Sequence, residues 1–304
     1  MERGWIRMAD SIEAEQRGAH AAATLHVDGS DLGRVGARPR LGRYIASLWS
    51  YRSFIVFDSR SRIAGAASTN ALGRIWMILN PILDGAAYFL VFGVLLQTGR
   101  GIENFIAYLI VGVFLFRYTS QAIANGSRSI SSNLSIVRAF RFPRATLPIA
   151  SNLRELLLFL PTLAVMIVLI LVIPPFEHIT WRWLLLVPLL ALQTLFNLGL
   201  SLLLARVVAR WADVANLITF GTRIWLYLSA VFFSVQRFEH VPALVTAMHL
   251  NPMYCVLDIA RQSLLYGANA DPMRWIVLLA WTALLLVVGT VVFRDAEESY
   301  GDER

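Results

Sequence analysis

Six apolar runs dominate the chain, at about Ile75 to Gln97, Phe105 to Ala124, Thr146 to Ile173, Trp183 to Val208, Val214 to Ser234 and Trp275 to Phe293. Each approaches the roughly 20 residues that ~30 Å of hydrocarbon demands at ~1.5 Å per residue, so the pattern predicts six transmembrane helices. Ahead of them, Leu41 to Phe57 sets Leu41, Tyr44, Ile45, Leu48 and Trp49 at helical spacing, with Arg43 and Arg52 on the more polar side. A helix of that kind lies in the membrane interface instead of crossing it. Between the fifth and sixth runs, Pro242 to Leu250 and Met253 to Leu265 are separated by Asn251-Pro252. Both are too short to span, which predicts a re-entrant or surface helical hairpin.

The expected fold is therefore an all-α integral membrane protein with six transmembrane helices, an N-terminal interfacial amphipathic helix and an external helical hairpin between helices five and six. Residues 1–40 mix charge, Gly and Ala without the apolar core of a signal peptide and read as a disordered cytoplasmic tail. Residues 41–74 form the interfacial region, 75–294 the six-helix domain and 295–304 a C-terminal cytoplasmic tail.

Orientation follows from where arginine falls in the short loops. The N-terminal region, the loop with Arg128, Arg138, Arg141 and Arg144, and the loop with Arg206 and Arg210 alternate with arginine-poor connections around Arg100 and Arg182. This places both termini on the cytoplasmic side of a bacterial inner membrane and the hairpin outside.

Composition then removes several function classes. With 57% hydrophobic and 15% charged residues over 304 positions, the chain has too little polar surface for one water-soluble domain, and the excess must face lipid. The net charge of +7 sits in short clusters between apolar runs, which topology explains without nucleic acid. All 27 basic residues are arginine, so a phosphate-binding loop, which needs its lysine, is excluded. If ATP and Mg drive this protein, a partner subunit holds them. A single cysteine, Cys255, forms no intrachain disulfide, and His20, His26, His178, His240 and His249 lack metal-ligand spacing, so no metal is expected. No G-x-S-x-G or H-E-x-x-H occurs to suggest an enzyme, and no repeat between the halves suggests an ion-coupled secondary transporter.

The second cytoplasmic loop reads SISSNLSIVRAFRFPRATLPIA, a short amphiphilic segment stopped at Pro143. Arginine alone would make it a topology signal. Phe140 and Phe142, set between arginines, favour a docking role, because exposed apolar residues in such a loop usually meet a partner.

This loop, with FPRATLPIA following its short apolar helix, resembles that of the ABC-2 type polysaccharide export permeases, the Wzm-like family. LGRIWMILNP at Leu72 to Pro81, YLIVGVFLF at Tyr108 to Phe116 and NPMYCVLDIARQSLLYG at Asn251 to Gly267 follow in the order that family would have, so the resemblance covers roughly Leu41 to Phe293. The arginine-only composition is most similar to the actinobacterial members that export cell-wall galactan. One departure is the longer SRSRIAGAASTNALG between Phe57-Asp58 and the first run. The resemblance implies a homodimer that works with two copies of a separate Wzt-like ATPase and exports a lipid-linked glycan. It makes Ser135, Ile136, Val137, Arg138, Phe140 and Phe142 the ATPase-coupling helix. Leu41 to Phe57 and Pro242 to Leu265 would be gate elements. The same architecture carrying a drug or lipid remains an open alternative.

Independently of any family, Asp84, Arg117 and Arg223 lie inside predicted spans, where an unpaired charge costs several kcal/mol and so faces protein or water. Arg117 or Arg223 pairing with Asp84 for packing alone would explain them equally. Tyr88, Phe89, Phe92, Tyr108, Phe114, Tyr118, Trp225, Tyr227 and Phe232 could offer ring faces to sugars, or serve as interfacial belt and helix packing. At the cytoplasmic rim Arg43, Trp49, Arg52, Arg60, Arg62 and Arg74 are candidates for a lipid diphosphate, or for anionic membrane lipids alone.

Overall fold

The computed structural model describes residues 41–68, 73–97, 101–140, 142–297 and 300, and every regular element among them is helical. The predicted tail over 1–40 and Arg141 lie outside the described residues.

The interfacial segment is two helices, α1 (Leu41–Ser50) and α2 (Arg52–Ser68), which meet at Tyr51. The second runs on through most of the segment that departs from the family pattern, so the helical segment is longer than Leu41 to Phe57, while its amphipathic part is the first helix. Next comes α3 (Gly73–Tyr88), continued by π-helical turns over Phe89–Leu95. The chain proceeds through α4 (Phe105–Ser127), the short α5 (Leu134–Ala139), α6 (Thr146–Val172) and a 3₁₀ turn at Trp181–Leu185 leading into α7 (Leu186–Arg210). The last elements are α8 (Val214–Leu228), α9 (Pro242–His249), α10 (Pro252–Leu264) and α11 (Pro272–Asp295).

Four helices, α4, α6, Trp181–Arg210 and α11, are long and apolar enough to cross a membrane, and the bent pair α9–α10 would make five. Two of the six apolar runs form shorter elements. The apolar part of the first is Ile82–Leu95, which begins after Asn80 and Pro81 and carries Asp84 within it. In the fifth, α8 stops after 15 residues, about 22 Å. Ala230 follows at φ 52°, a left-handed turn that a non-glycine residue rarely takes and a continuing helix forbids.

The core is arranged around α4, which is buried along most of its length between α6, α7, α10 and α3. Of the two forms expected for the hairpin, re-entrant or surface, burial speaks against the surface one, since α10 lies inside this core: Met253, Cys255, Val256, Leu257 and Ile259 are fully buried. The break before it is built by Asn251, whose Oδ1 accepts the Met253 N–H at 3.0 Å and so caps α10, while Pro252 opens the helix without needing its own N–H. The two helices diverge by 82°.

Helices α7 and α11 pack through backbone contact at Gly199 and Gly289, as small residues allow in lipid, where no hydrophobic force drives helices together. A Cβ on Gly199 would stand 2.6 Å from the backbone carbon of Leu285, and one on Gly289 would strike the Gly199 carbonyl. Gly289→Ala is therefore expected to cost about 1–3 kcal/mol, read as a lower melting temperature in detergent. An unchanged melting temperature would mean that the helices can part freely.

Arg182 and Arg210 flank the Trp181–Arg210 helix, and each guanidinium lies 5.2 Å from the ring of its tryptophan neighbour, Trp181 or Trp211. At the α5 end of the bundle a separate cluster forms from Tyr44, Ile130, Val137, Leu147, Leu202, Phe293 and Tyr300. It joins the interfacial helices, the arginine-rich loops and the segment after α11, so the loop ends that arginine counting assigned to one side do meet.

Candidate functional site

A groove with a volume of 380 Å³ opens between α3, α4 and α6. Its polar wall is written into helical periodicity: Arg117, Gln121 and Asn125 follow one another at i, i+4 on α4, and Asn80 and Asp84 do the same on α3. Arg117 Nη1 donates to Asp84 Oδ2 across the two helices, which makes this the pairing that the charges inside the spans required. Deeper along the ladder, Asn125 Nδ2 donates to Glu155 Oε1 at 2.9 Å, and Arg154 Nε lies 3.8 Å from the same oxygen. Both members of the Arg117–Asp84 pair keep partial exposure; Arg117 lines the groove, and Asp84 holds it from α3.

Tyr118 and Phe159 complete the wall with stacked rings 4.7 Å apart, the Tyr118 hydroxyl sharing a 2.8 Å hydrogen bond with Thr194. Phe114 also borders the groove but is fully buried. Beyond Asp84 the surface turns aromatic. Phe232, itself fully buried, is the hub beneath it, stacked on Phe92 at 4.1 Å and packed against Tyr88 at 4.9 Å and Tyr227 at 5.4 Å. Phe89 lies beside them, half-buried against the core.

Two sequence candidates stand apart. Tyr108 donates its hydroxyl to the Phe233 carbonyl at 2.7 Å and is buried under Arg261, while Trp225 donates Nε1 to Asn251 Oδ1 at 2.9 Å and contacts Phe116 edge-on. Both rings are engaged in holding the α9–α10 break and the start of α4. Arg223, by contrast, is exposed on α8 among Phe220, Ile224 and Tyr227. Asn216 shares that surface, so α8 presents a face that is apolar yet carries an arginine and an amide.

The residues that sequence reading missed are Asn80, Gln121, Asn125 and Glu155. Their signal was the i, i+4 spacing from Asp84 and Arg117, and a glutamate inside the third apolar run.

At the α5 end, Phe140 is 67% exposed and Ser135 and Arg138 also face outward, whereas Val137 is buried and Ile136 is half-buried. The aromatic pair is thus divided: Phe142 turns inward, its ring 6.2 Å from Phe54 of α2. Arg62 of α2 donates to Asp58 at 2.9 Å and to Asn133, just ahead of α5, at 2.8 Å. Ser59 donates to the Ala150 carbonyl at 2.9 Å. The loop and the interfacial helices are therefore one packed assembly. Arg43, Arg52 and Arg60 are exposed on it, with Arg52 lying 5.6 Å over the Trp49 ring, which is 71% exposed; the side chain of Arg74 is outside the described ones. From the other side Glu297 accepts the Arg144 N–H at 2.6 Å, and burial pushes its carboxyl above the usual carboxylate range.

Polar residues inside the spans, a packed interfacial helix pair and a short outward-facing loop helix are the parts of a transport subunit. A family model for the ABC-2 type transporter matches residues 59–265, and the chain belongs to that family of membrane transport subunits. The chain is 24% identical over 263 residues to the O-antigen export system permease protein RfbA of Myxococcus xanthus, covering 86% of this chain and 98% of the relative. It is also 24% identical over 238 residues to a protein of the same name from Klebsiella pneumoniae, covering 77% of this chain and 88% of that one.

Proposed function

We propose that this chain is one half of a homodimeric permease that moves a lipid-linked polysaccharide, a galactan or O-antigen-like glycan on a polyprenyl diphosphate, from the cytoplasm to the outside. Two copies of a Wzt-like ATPase supply ATP hydrolysis with Mg. Kinship with O-antigen export permeases supports the cargo class. The observation that carries the reading is the polar ladder of the groove inside the spans, since hydroxyl-rich cargo needs hydrogen-bond partners across the hydrocarbon depth. A drug or lipid exporter would have little use for six amide and charged side chains along that path.

In this reading α8 turns its face with Arg223 and Asn216 toward the second copy, since lipid would charge several kcal/mol for that arginine. The remaining two apolar runs complete six spans per subunit, with the α9–α10 break external. The diphosphate meets Arg43, Arg52 and Arg60 at the rim, the glycan passes the ladder and then the Phe232 aromatic cluster, and the ATPase drives the cycle through α5.

Because only Phe140 of the aromatic pair is exposed, the two phenylalanines separate docking from folding. Phe140→Ala is expected to weaken association with the co-expressed ATPase about tenfold or more, as truncation of an interface anchor does, with the melting temperature unchanged. Phe142→Ala is expected to lower the melting temperature through lost packing on Phe54. Pull-down and coupled ATPase activity read the difference, and full association with Phe140→Ala would remove α5 as the docking element.

A further inference from the structure

A second cavity, of 470 Å³, lies at the end of the bundle remote from α5, between the start of α4, the segment after α8, and the turn from α10 to α11. Its floor is made by two arginines whose guanidinium groups already donate to the protein. Arg261 of α10 is 2% exposed and donates Nη1 to the Ala230 carbonyl at 3.1 Å and Nη2 to that of Val231 at 3.0 Å, with its guanidinium stacked 3.3 Å over the Tyr108 ring. Arg274 donates to Asp258 at 3.2 Å and lies 5.4 Å over the Tyr254 ring. What remains free points into the cavity: the side chains of Tyr254, Tyr266, Gln262 and Glu239 border it and make no hydrogen bond elsewhere among the described residues.

The chemistry of this lining selects among ligands. An anion would meet three carboxylates, Glu239, Asp258 and Asp271, against two guanidinium groups that already donate to carbonyls and to Asp258. A metal would need three converging ligands, and the described residues contain no such group. An apolar molecule would leave a glutamine, a carboxylate and two phenols unpaired, at a cost of about 1–3 kcal/mol for each group buried. A neutral polyhydroxylated ring satisfies all of them, because its hydroxyls both donate and accept and its C–H face packs on tyrosine. The volume suits a small ligand, within the roughly 300–1,000 Å³ of typical binding pockets.

We infer that this cavity is a saccharide-binding site, separate from the groove, that holds one or two neutral sugar units at the end of the bundle opposite the ATPase. The glycan as its source rests on the function proposed above; the binding itself does not. It gives the emerging chain a place to rest in each subunit, so that a step completed by the ATPase is not lost by backsliding.

Saturation-transfer NMR on the purified full chain in detergent, with a β-linked galactose disaccharide as probe and glycerol 3-phosphate, an anion with observable C–H protons, as the charged control, tests it directly. Transfer is expected to the disaccharide and not to glycerol 3-phosphate. Tyr266→Ala and Gln262→Ala are each expected to reduce it about tenfold or more, while Tyr266→Phe, which keeps the ring, retains most of it. Melting temperatures of the variants show whether each is folded, and the exposed loop position of Tyr266 makes its variants the robust pair. No transfer to wild type, transfer to glycerol 3-phosphate instead, or transfer indifferent to all three variants overturns the site. Surface glycan in cells lacking the native gene is measured in parallel: its absence with wild-type complementation would end the glycan reading, whereas disaccharide binding lost in Tyr266→Ala would still uphold the site.

Discussion

Arg261→Met is expected to lower stability by more than about 3 kcal/mol, the largest loss from any single side chain in the protein. The guanidinium gathers carbonyls from Tyr108, Ala230 and Val231, three positions on two separated stretches of chain, onto one buried helix. Hydrogen bonds from a charged donor contribute about 1.5–3 kcal/mol each, and a thioether replaces none of them. The Ala230 carbonyl keeps the Tyr108 hydroxyl at 3.2 Å, but that of Val231 has no substitute donor beside it. Lysine is not a remedy, because an ammonium cannot fan its donors in the guanidinium plane or stack on Tyr108. Thermal unfolding in detergent reads the effect. A melting temperature equal to wild type would show that the end of α8 is held by other contacts.

The second large effect is on transport. Arg117→Met leaves Asp84 as a lone carboxylate within a span, and Asp84→Leu leaves Arg117 as a lone cation; the cost of a charge at such a depth, about 2.5–3.5 kcal/mol, corresponds to roughly a hundredfold change in an equilibrium. Each single variant is expected to reduce surface glycan at least tenfold at equal protein level. The exchange of Asp84→Arg with Arg117→Asp restores the pair and should recover part of the export. Normal export by both single variants would show that the pair serves neither passage nor the shape of the groove. Recovery of melting temperature without export in the exchanged variant would assign the pair's order, and not merely its neutrality, to the passage.

Much of this was legible in the sequence because lipid leaves a blunt signature. The second, third, fourth and sixth apolar runs became helices with bounds close to those expected, since each is long and nearly uninterrupted. The pairing of Asp84 was legible for a related reason: a charge inside an apolar run needs an answer, and Arg117 or Arg223 could give it. What hydropathy could not supply was direction. Lipid and protein interior are equally apolar, so nothing in the composition of Pro252 to Leu264 distinguishes a surface hairpin from a helix sunk into the core. Amides vanish for a similar reason, because averaging over about 20 residues hides Gln121 and Asn125; only their spacing from Arg117 reveals a shared face. The inward turn of Phe142 depended on Phe54, 88 residues earlier, and no local pattern reports such a contact.

The arginine–tryptophan pairs at the two ends of Trp181–Arg210 have a mechanical consequence. Thirty helical residues span about 45 Å, the thickness of a bilayer with its headgroups, so each end is pegged at one leaflet's surface like a stanchion cut to length. Helix α11 is fastened to this post backbone to backbone at Gly199 and Gly289, and the two have no slack to slide. A strained or thinned membrane would tilt them together, a cost of a fraction of a kcal/mol for each ångström of mismatch. Compliance is thereby left to the shorter helices α3 and α8. In the function proposed above, bilayer thickness would then act on the path open to the cargo through the tilt of this post.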